Sequence, residues 1–384
     1  MEKLLSRQHA ELAPVLPDST EKWYLPLFAV QHPKKPEIVR VVFDSSAMCQ
    51  DTSLNNILLQ GPDMLNRLIG ILLRFRREKI AVTMDVEPMF YNFHVPEGQR
   101  RFLRFWWHKD NDLTQPLVVY QMTRHVFSNT TSPAIANYGI RKIVENADED
   151  VTNFVNKDFY VDDGLLSYKT ESEAISIVKR IKQTLGENGR NRLHKFSSNS
   201  RELLHSFQQE DLAKELKDLD LAADALPMQR SLGLLWDKET DMFTCSINHV
   251  EKAYTRRGLL STINSIYDPL GFAHPFTICG KLLLREMMSV TTSNEWDDPL
   301  PESLYAKWCT WVDSMHYLGN LSIPRASCDI SFTDALRREV LVFADASKDV
   351  IAAVAYLKLY DADRCSIGFL LGKAKPHSLH MGGS

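Results

Sequence analysis

The six residues Phe159–Gly164, "FYVDDG", set the tightest limit on how this chain folds. Two adjacent carboxylates, Asp162 and Asp163, follow three residues that favour a strand. Adjacent like charges repel, so a chain puts them side by side for solvent, for a turn or for a metal ion. Asp and Gly dominate turns for backbone reasons, and a solvated turn satisfies this stretch taken alone. Its flanks, Asn153-Phe154-Val155 and Leu165-Leu166-Ser167-Tyr168, read as strands, which puts both acids at the tip of a β-hairpin. A helix is expected next, opened by the capping box Thr170-x-x-Glu173 and burying Ala174, Val178, Ile181 and Leu185 on one face.

A second acid changes the reading. Ile80–Met84, "IAVTM", is a buried strand by its composition, and it delivers Asp85. One strand ending in an acid and one hairpin tipped by two is a layout that clamps divalent ions. Mg²⁺ takes oxygen ligands and is held by one or two carboxylates together with waters and substrate phosphates. Two such ions about 4 Å apart activate a hydroxyl and stabilise a leaving pyrophosphate. Three converging carboxylates are costly unless a metal neutralises them.

The chain is long enough, at 384 residues, for two or three domains. Its 44% hydrophobic and 24% charged residues are those of a globular protein. A net charge of −4 does not advertise a nucleic-acid binder, although 45 Lys and Arg leave room for a local basic surface. The cysteines at 49, 245, 279, 309, 328 and 365 form no CxxC pair, which argues against a zinc site or a disulfide framework. No apolar run approaches a membrane span. Val39–Phe43 and Phe90–Val95 read as strands, and Leu65–Phe75 and Pro133–Glu145 as helices. Residues 197–225 look polar and helical, and 250–318 mostly helical. Ser231–Trp236, "SLGLLW", begins a hairpin that turns at Lys238–Asp241. From Val340 the pattern changes to the strands of a fresh α/β domain.

An ordered series of segments then carries a resemblance: "YLPLFAVQHPKKPEIVRVVFDSSA" (24–47), "ILLRFRREKIAVTMDVEPMFYNFHV" (71–95), "QMTRHVFSNTTSPAIANY" (121–138), "FYVDD", "RSLGLLWD" (230–237), "RRGLLSTINSIYDPLGFAHPF" (256–276), "WDDPLPESLYAKWCTWV" (296–312) and "FADAS" (343–347). In these the chain resembles the reverse transcriptase region of a BEL/Pao-type retrotransposon polyprotein. The resemblance implies an α+β fold: a right-hand polymerase with fingers, antiparallel palm sheet and helical thumb or connection, followed by an incomplete ribonuclease H-like α/β domain. Fingers are expected over 1–80, palm with interleaved fingers elements over 81–245, thumb or connection over 246–337, and the ribonuclease H-like fragment over 338–384.

The implied activity is RNA-directed DNA synthesis from dNTPs on a template–primer, with two Mg²⁺ ions for which Mn²⁺ can stand in. By the same resemblance Asp85 and Asp162 hold both metals and Asp163 assists. Arg40, Phe90, Tyr160 and Ser128 face the nucleotide. Arg40 matches an arginine that pairs with triphosphate, and Phe90 an aromatic gate against a ribose 2′-hydroxyl, with core packing as its plainer role. Leu232, Gly233 and Leu234 match the primer grip, or a merely structural hairpin, and Lys195 matches a general acid for pyrophosphate. Lys34 and Lys35 are a further phosphate candidate, with a solvated turn as the simpler reading. The basic segments around Arg74–Lys79, Arg100–Arg104 and Arg256–Arg257 suit a template–primer channel, or solvated faces. Relatives of this kind work in cytoplasmic particles, and no membrane partner is implied.

Two substitutions weigh against activity. Pro88 has no N–H to offer a triphosphate. Ser128 stands where the resemblance expects glycine: either its Cβ obstructs the approach of backbone to nucleotide, or the change is tolerated variation. Asp345 matches a first ribonuclease H ligand whose companions are expected beyond residue 384, so it reads as vestigial and no ribonuclease H activity is expected. The alternative to an active polymerase is a catalytically dead remnant that keeps the fold and at most binds nucleic acid.

Overall fold

Residues 1–32, 35–245, 252–291 and 295–377 are described by a computed structural model. Lys34 and the side chain of Lys35 lie outside the described residues. The chain forms two compact units, one of Met1–Asn66, Asp85–Gly164 and Ile177–His194, the other of Arg67–Met84, Leu165–Ser176 and Lys195–Ser384.

In the first unit, strands Leu27–His32 and Lys35–Phe43 pair as a hairpin, with Val30 opposite Arg40. Strand Leu117–Met122 lies between Ala10–Leu12 and Arg104–His108, antiparallel to both. Phe43, Phe105, Tyr120, Met122 and Val126 fill the core beneath them. Helix Ser132–Ile143 carries proline in its first turn, where the missing N–H costs nothing.

Helix Glu149–Lys157 replaces the strand expected at Asn153–Val155. Val151, Phe154 and Val155 recur at helical spacing and are buried, and Arg180 pairs with Asp148 (2.8 Å) at the helix start. That packing overrides the strand preference of Val and Phe. The strand expected at Phe90–Val95 is likewise a 3₁₀ turn, Met89–Asn92, and only Phe159–Tyr160 precedes the acidic turn as strand.

A further sheet has the strand order Phe159–Tyr160, Asp163–Tyr168, Ile80–Val86, Leu193–Ser198. The expected helix follows as Glu171–Gly189. Thr170 Oγ1 accepts from Glu173 N at 3.3 Å, and Ala174, Val178, Ile181 and Leu185 are buried. Residues 197–225 hold a strand end, the short helix Arg201–His205 and 3₁₀ turns rather than a long helix.

The second unit is organised around two buried arginines. Helix Leu68–Phe75 ends at Arg76, which is 1% exposed and donates to Arg325 O (3.0 Å), Pro324 O (3.1 Å) and Leu370 O (3.2 Å). Arg325, fully buried, pairs with Asp241 through two oxygens (2.7 and 2.8 Å) and donates to Phe75 O (2.6 Å) and Lys79 O (2.7 Å). The four-stranded sheet Gln229–Ser231, Leu234–Asp237, Met242–Thr244, Ser322–Pro324 is antiparallel throughout. Its two hairpins turn at Leu232-Gly233 and at Lys238–Asp241, the latter as expected.

Helices Arg256–Asn264, His274–Val290 and Tyr305–Asp313 bury Leu259, Ile263, Met287, Trp308 and Trp311 against one another. Two strands are expected from Val340; the structure has three in an antiparallel meander, Arg337–Ala346, Val350–Tyr360 and Cys365–Pro376. The loop "YDPLGFAHP" fastens helix His274–Val290 to the last of them. Asp268 accepts from Gly271, Phe272 and Ala273 N, while Leu270 O accepts from Gly372 N at 2.8 Å. Gly271 has φ +80°, and a Cβ there would lie 1.9 Å from Gly372 O, so no other residue fits.

Lys238 is 1% exposed, its Nζ meeting Ser197 Oγ at 2.8 Å. Burial pushes its pKa down from the usual lysine range to about 8. A lysine whose folded pKa is depressed binds fewer protons when folded than when unfolded. Stability therefore rises as pH climbs through about 8 toward the unfolded lysine value, and is lower below that window. Lys238→Met is expected to remove this rise and to gain about 1–3 kcal/mol at pH 7. Urea denaturation of both proteins at pH 7 and pH 9 checks both statements.

Candidate active site

Asp85 comes at the end of a strand whose Ala81, Val82 and Met84 are buried. Within the first unit, Val86 N donates to Asp162 O at 2.9 Å, so the chain just after the first acid lies beside the second. Phe159 pairs with Gly164 and Tyr160 with Asp163, leaving Val161-Asp162 as a two-residue turn. Such turns require positive φ and are usually built with Gly or Asn. Here the position is held by Val161, at φ 56°, a conformation that a β-branched residue rarely adopts. Strain of this kind costs about 1–3 kcal/mol and persists only where the surroundings impose it. They do so here. Phe159 is 2% exposed and packs edge-on against Phe154 (5.8 Å), and Asn66 Nδ2 donates to Phe159 O at 2.7 Å.

His194 was not singled out from the sequence. Its Nε2 lies 3.1 Å from Asp85 Oδ1, and both side chains are half-buried. In strand Leu193–Ser198, Leu193 and Phe196 are buried and His194 is partly buried, so no regular alternation marks it. Beside it, Glu87 N donates to Arg192 O (2.9 Å) and Arg192 pairs with Glu87 (3.2 Å).

Phe90 is 6% exposed and meets exposed Phe127 edge-on at 4.5 Å. Ser128 follows. Its hydroxyl is 2.8 Å from that of buried Ser45, and its carbonyl accepts from Asn55 Nδ2 at 2.9 Å. Ser45 also donates to Asn129 Oδ1 (2.7 Å), and Asn55 accepts from Thr130 N (3.0 Å). Arg40 is exposed on its hairpin. Leu232, Gly233, Leu234, Lys195 and Asp345 belong to the second unit. There Leu232 and Gly233 have φ 46° and 88°, and a Cβ at Gly233 would come within 2.3 Å of the Tyr267 ring. Lys195 and Asp345 are exposed.

The basic segments are largely spent on structure. Arg76 is in the buried network, with its pKa lowered to about 10 by burial and by Arg325. Arg104 is buried and donates to Pro14 O (2.7 Å), and Arg256 is buried. Arg257 pairs with Asp297 and Arg100 with Glu11. A different group is electropositive: His94 is pushed down by burial and by Arg124, Arg100 and Arg190, and His9 by burial, Arg124 and Arg7. Arg124 stands in no basic run, whereas Arg190 opens the run Arg190-Asn-Arg192-Leu-His194-Lys195, which was not singled out as a basic segment.

Among the described residues, no group of three or more His, Cys, Asp or Glu side chains converges as a ready metal cage. The donor chemistry of Asp85 and Asp162 nonetheless fits a hard divalent cation, which commonly takes one or two carboxylates and completes its shell with water and substrate phosphate.

Residues 255–381 match the Pao retrotransposon-like RNaseH-like domain. That stretch takes in both the helices and the meander they pack against. No curated protein sequence matches the chain. Among solved structures, the foamy viral protease-reverse transcriptase dRH in complex with ds DNA is similar over 98% of this chain and 54% of that one, with TM-score 0.61 and 15% identity. The foamy viral protease-reverse transcriptase in complex with RNA/DNA hybrid is similar over 98% of this chain and 42% of that one, at TM-score 0.56 and 17% identity. In complex with dsDNA the same protein gives TM-score 0.58, 14% identity and coverage of 98% and 64%. The chain thus spans about half the length of these structures. It has their fold, and residues 255–381 are similar to the Pao RNaseH-like domain.

Proposed function

We propose that this chain is the polymerase part of a BEL/Pao-like retrotransposon reverse transcriptase, joining deoxynucleotides to a primer 3′-hydroxyl on an RNA or DNA template. The observation that carries the reading is the junction of the two acid-bearing strands, Val86 N to Asp162 O at 2.9 Å. It supports a shared role for Asp85 and Asp162. In this reading they hold two Mg²⁺ ions, with Asp163 assisting. Such ions, when bound, supply activation of the hydroxyl and neutralisation of charge on the leaving pyrophosphate.

The chain's own groups do the rest. His194 fixes one oxygen of Asp85, which orients the carboxylate. The Val161-Asp162 turn, held by the Tyr160–Asp163 pair, aims the second acid. Phe90, backed by Phe127, excludes a ribose 2′-hydroxyl by bulk, and Tyr160 and the Ser128 loop border the base and sugar. Arg40 receives triphosphate, and Arg124 and Arg190 attract backbone phosphates.

A second reading, a non-catalytic remnant that binds nucleic acid, is favoured by Pro88, which offers no N–H beside Asp85, and by the lack of a converged acid cluster among the described residues. Primer extension on an RNA template separates the two. Wild type is expected to extend, and Asp162→Asn to lose roughly 10³-fold or more. Equal signals from both, or none, refute the enzyme; binding without extension, with affinity falling linearly in log salt, establishes the remnant.

Val161→Asn, which tolerates positive φ, is expected to stabilise the fold by about 1 kcal/mol, read as a higher thermal midpoint. Asp345 is exposed, and its carboxylate accepts only from the adjacent Ala346 N (2.9 Å) among the contacts described. Among the described residues no further acids gather with it as a metal site, and the RNA strand of a hybrid is expected to stay intact with pure protein and Mg²⁺; robust degradation would refute this.

A further inference from the structure

We propose that Arg124 and Arg190, gathered about His94 with Arg100 alongside, form a binding site for linked phosphates. All four residues belong to the first unit. His94 and Arg124 stand opposite each other across an antiparallel bridge, where Val95 N donates to Thr123 O (2.9 Å) and His125 N to Phe93 O (3.2 Å). Opposite residues of such a pair share a face, with Cβ atoms about 5 Å apart. Arg190 is brought in by its neighbour Asn191, which is fully buried and accepts from Asn92 Nδ2 at 2.7 Å. Arg100 donates through Nε to Val95 O at 3.1 Å. His94 and Arg190 are exposed, so the group is open to solvent.

The group holds more cations than its own acids answer. Glu11 pairs with Arg100 (3.0 Å), and Glu87 with Arg192 (3.2 Å). Arg124 and Arg190 pair with no carboxylate among the described residues. Arg124 is partly buried, and its Nε is enclosed without a hydrogen-bond partner. Burial, then Arg190 and Arg100, pull its pKa below the usual arginine range. Like charges left close together without a counter-charge work against the compact fold.

The backbone of Arg190 adds an independent sign. Its φ is 53°, and it closes helix Glu171–Gly189 through Arg190 N to Gly186 O (3.0 Å) and Asn191 N to Leu185 O (2.9 Å). That left-handed position after a helix is ordinarily glycine's, and a Cβ disfavours it. An arginine is kept there facing other arginines, which stabilises nothing within the chain. A bound polyanion offsets both costs. A guanidinium meets phosphate with paired N–H donors, and several mutually close cations are neutralised by several linked phosphates. The polymerase reading supplies two sources of them, a strand backbone and the leaving pyrophosphate. The choice of source rests on that reading; the site itself rests on the unanswered arginines.

Calorimetric titration of the full chain at low salt, without divalent metal, tests this with sodium tripolyphosphate and with a short oligothymidylate. At least one is expected to bind and to raise the thermal midpoint. Arg190→Gly is expected to weaken binding about tenfold or more, and Arg124→Gln similarly. In the free protein Arg190→Gly is expected to raise the midpoint, because it removes a left-handed side chain and a like charge. A folding defect cannot give weaker binding together with a higher midpoint. Loss of tripolyphosphate affinity in the variants assigns the site to a free polyphosphate, and loss of oligothymidylate affinity assigns it to a strand; either supports it. Binding of neither ligand, affinities unchanged in both variants, or a lowered midpoint for free Arg190→Gly would overturn the proposal. Asp162→Asn, which tests the polymerase reading by primer extension, is expected to leave these affinities unchanged, so the two readings fail separately.

Discussion

Two guanidinium groups taken out of water decide how the second unit is built. Arg76 and Arg325 are buried side by side, where like charges repel and desolvation is costly. The arrangement holds because nearly every donor is answered. Asp241 neutralises Arg325 with both oxygens, and carbonyls from Phe75, Lys79, Pro324, Arg325 and Leu370 accept the rest. Phe75 and Trp236 lie beside the Arg325 guanidinium, so its faces as well as its edges are occupied. Those carbonyls come from a helix end, the four-stranded sheet and the meander. Loss of Asp241 would leave an uncompensated charge at the meeting point of all three, a loss that costs about 3–5 kcal/mol in buried pairs.

The same network explains why charge in the sequence misled. "RFRREK" reads as a basic run suited to phosphate, yet Arg76 is interior, Arg77 lies over Phe332, and Glu78 accepts from Thr333. A linear pattern shows where cations are, not which carbonyls surround them. Conversely, Arg124 and Arg190 come from separate elements, and only folding makes them act together on His94.

What was legible followed local rules. The helix after the acidic turn, the Lys238–Asp241 turn and the proline-led helix each rest on neighbouring residues alone. What was missed rested on tertiary contact. The segment before the acids is helical because Val151, Phe154 and Val155 find a core, and because Arg180 reaches Asp148 from 32 residues away. His194 was hidden for the same reason: its significance is a single contact to Asp85, 109 residues distant.

Ser128 and Pro88, the two residues that the resemblance marks as unexpected, differ physically. Ser128 adds a Cβ and a hydroxyl, and the fold absorbs the hydroxyl. Ser45, fully buried, shares a hydrogen bond with it and donates to Asn129, while Asn55 receives from Thr130 and binds the Ser128 carbonyl. A serine in that web leaves no polar group stranded, so its presence costs little. Pro88 admits no such repair. Its carbonyl is used by Tyr91 N at 3.0 Å, but the missing donor cannot be supplied by a neighbour, because it belongs to the backbone next to Asp85. Of the two, Pro88 is therefore the one whose change the surrounding structure cannot offset.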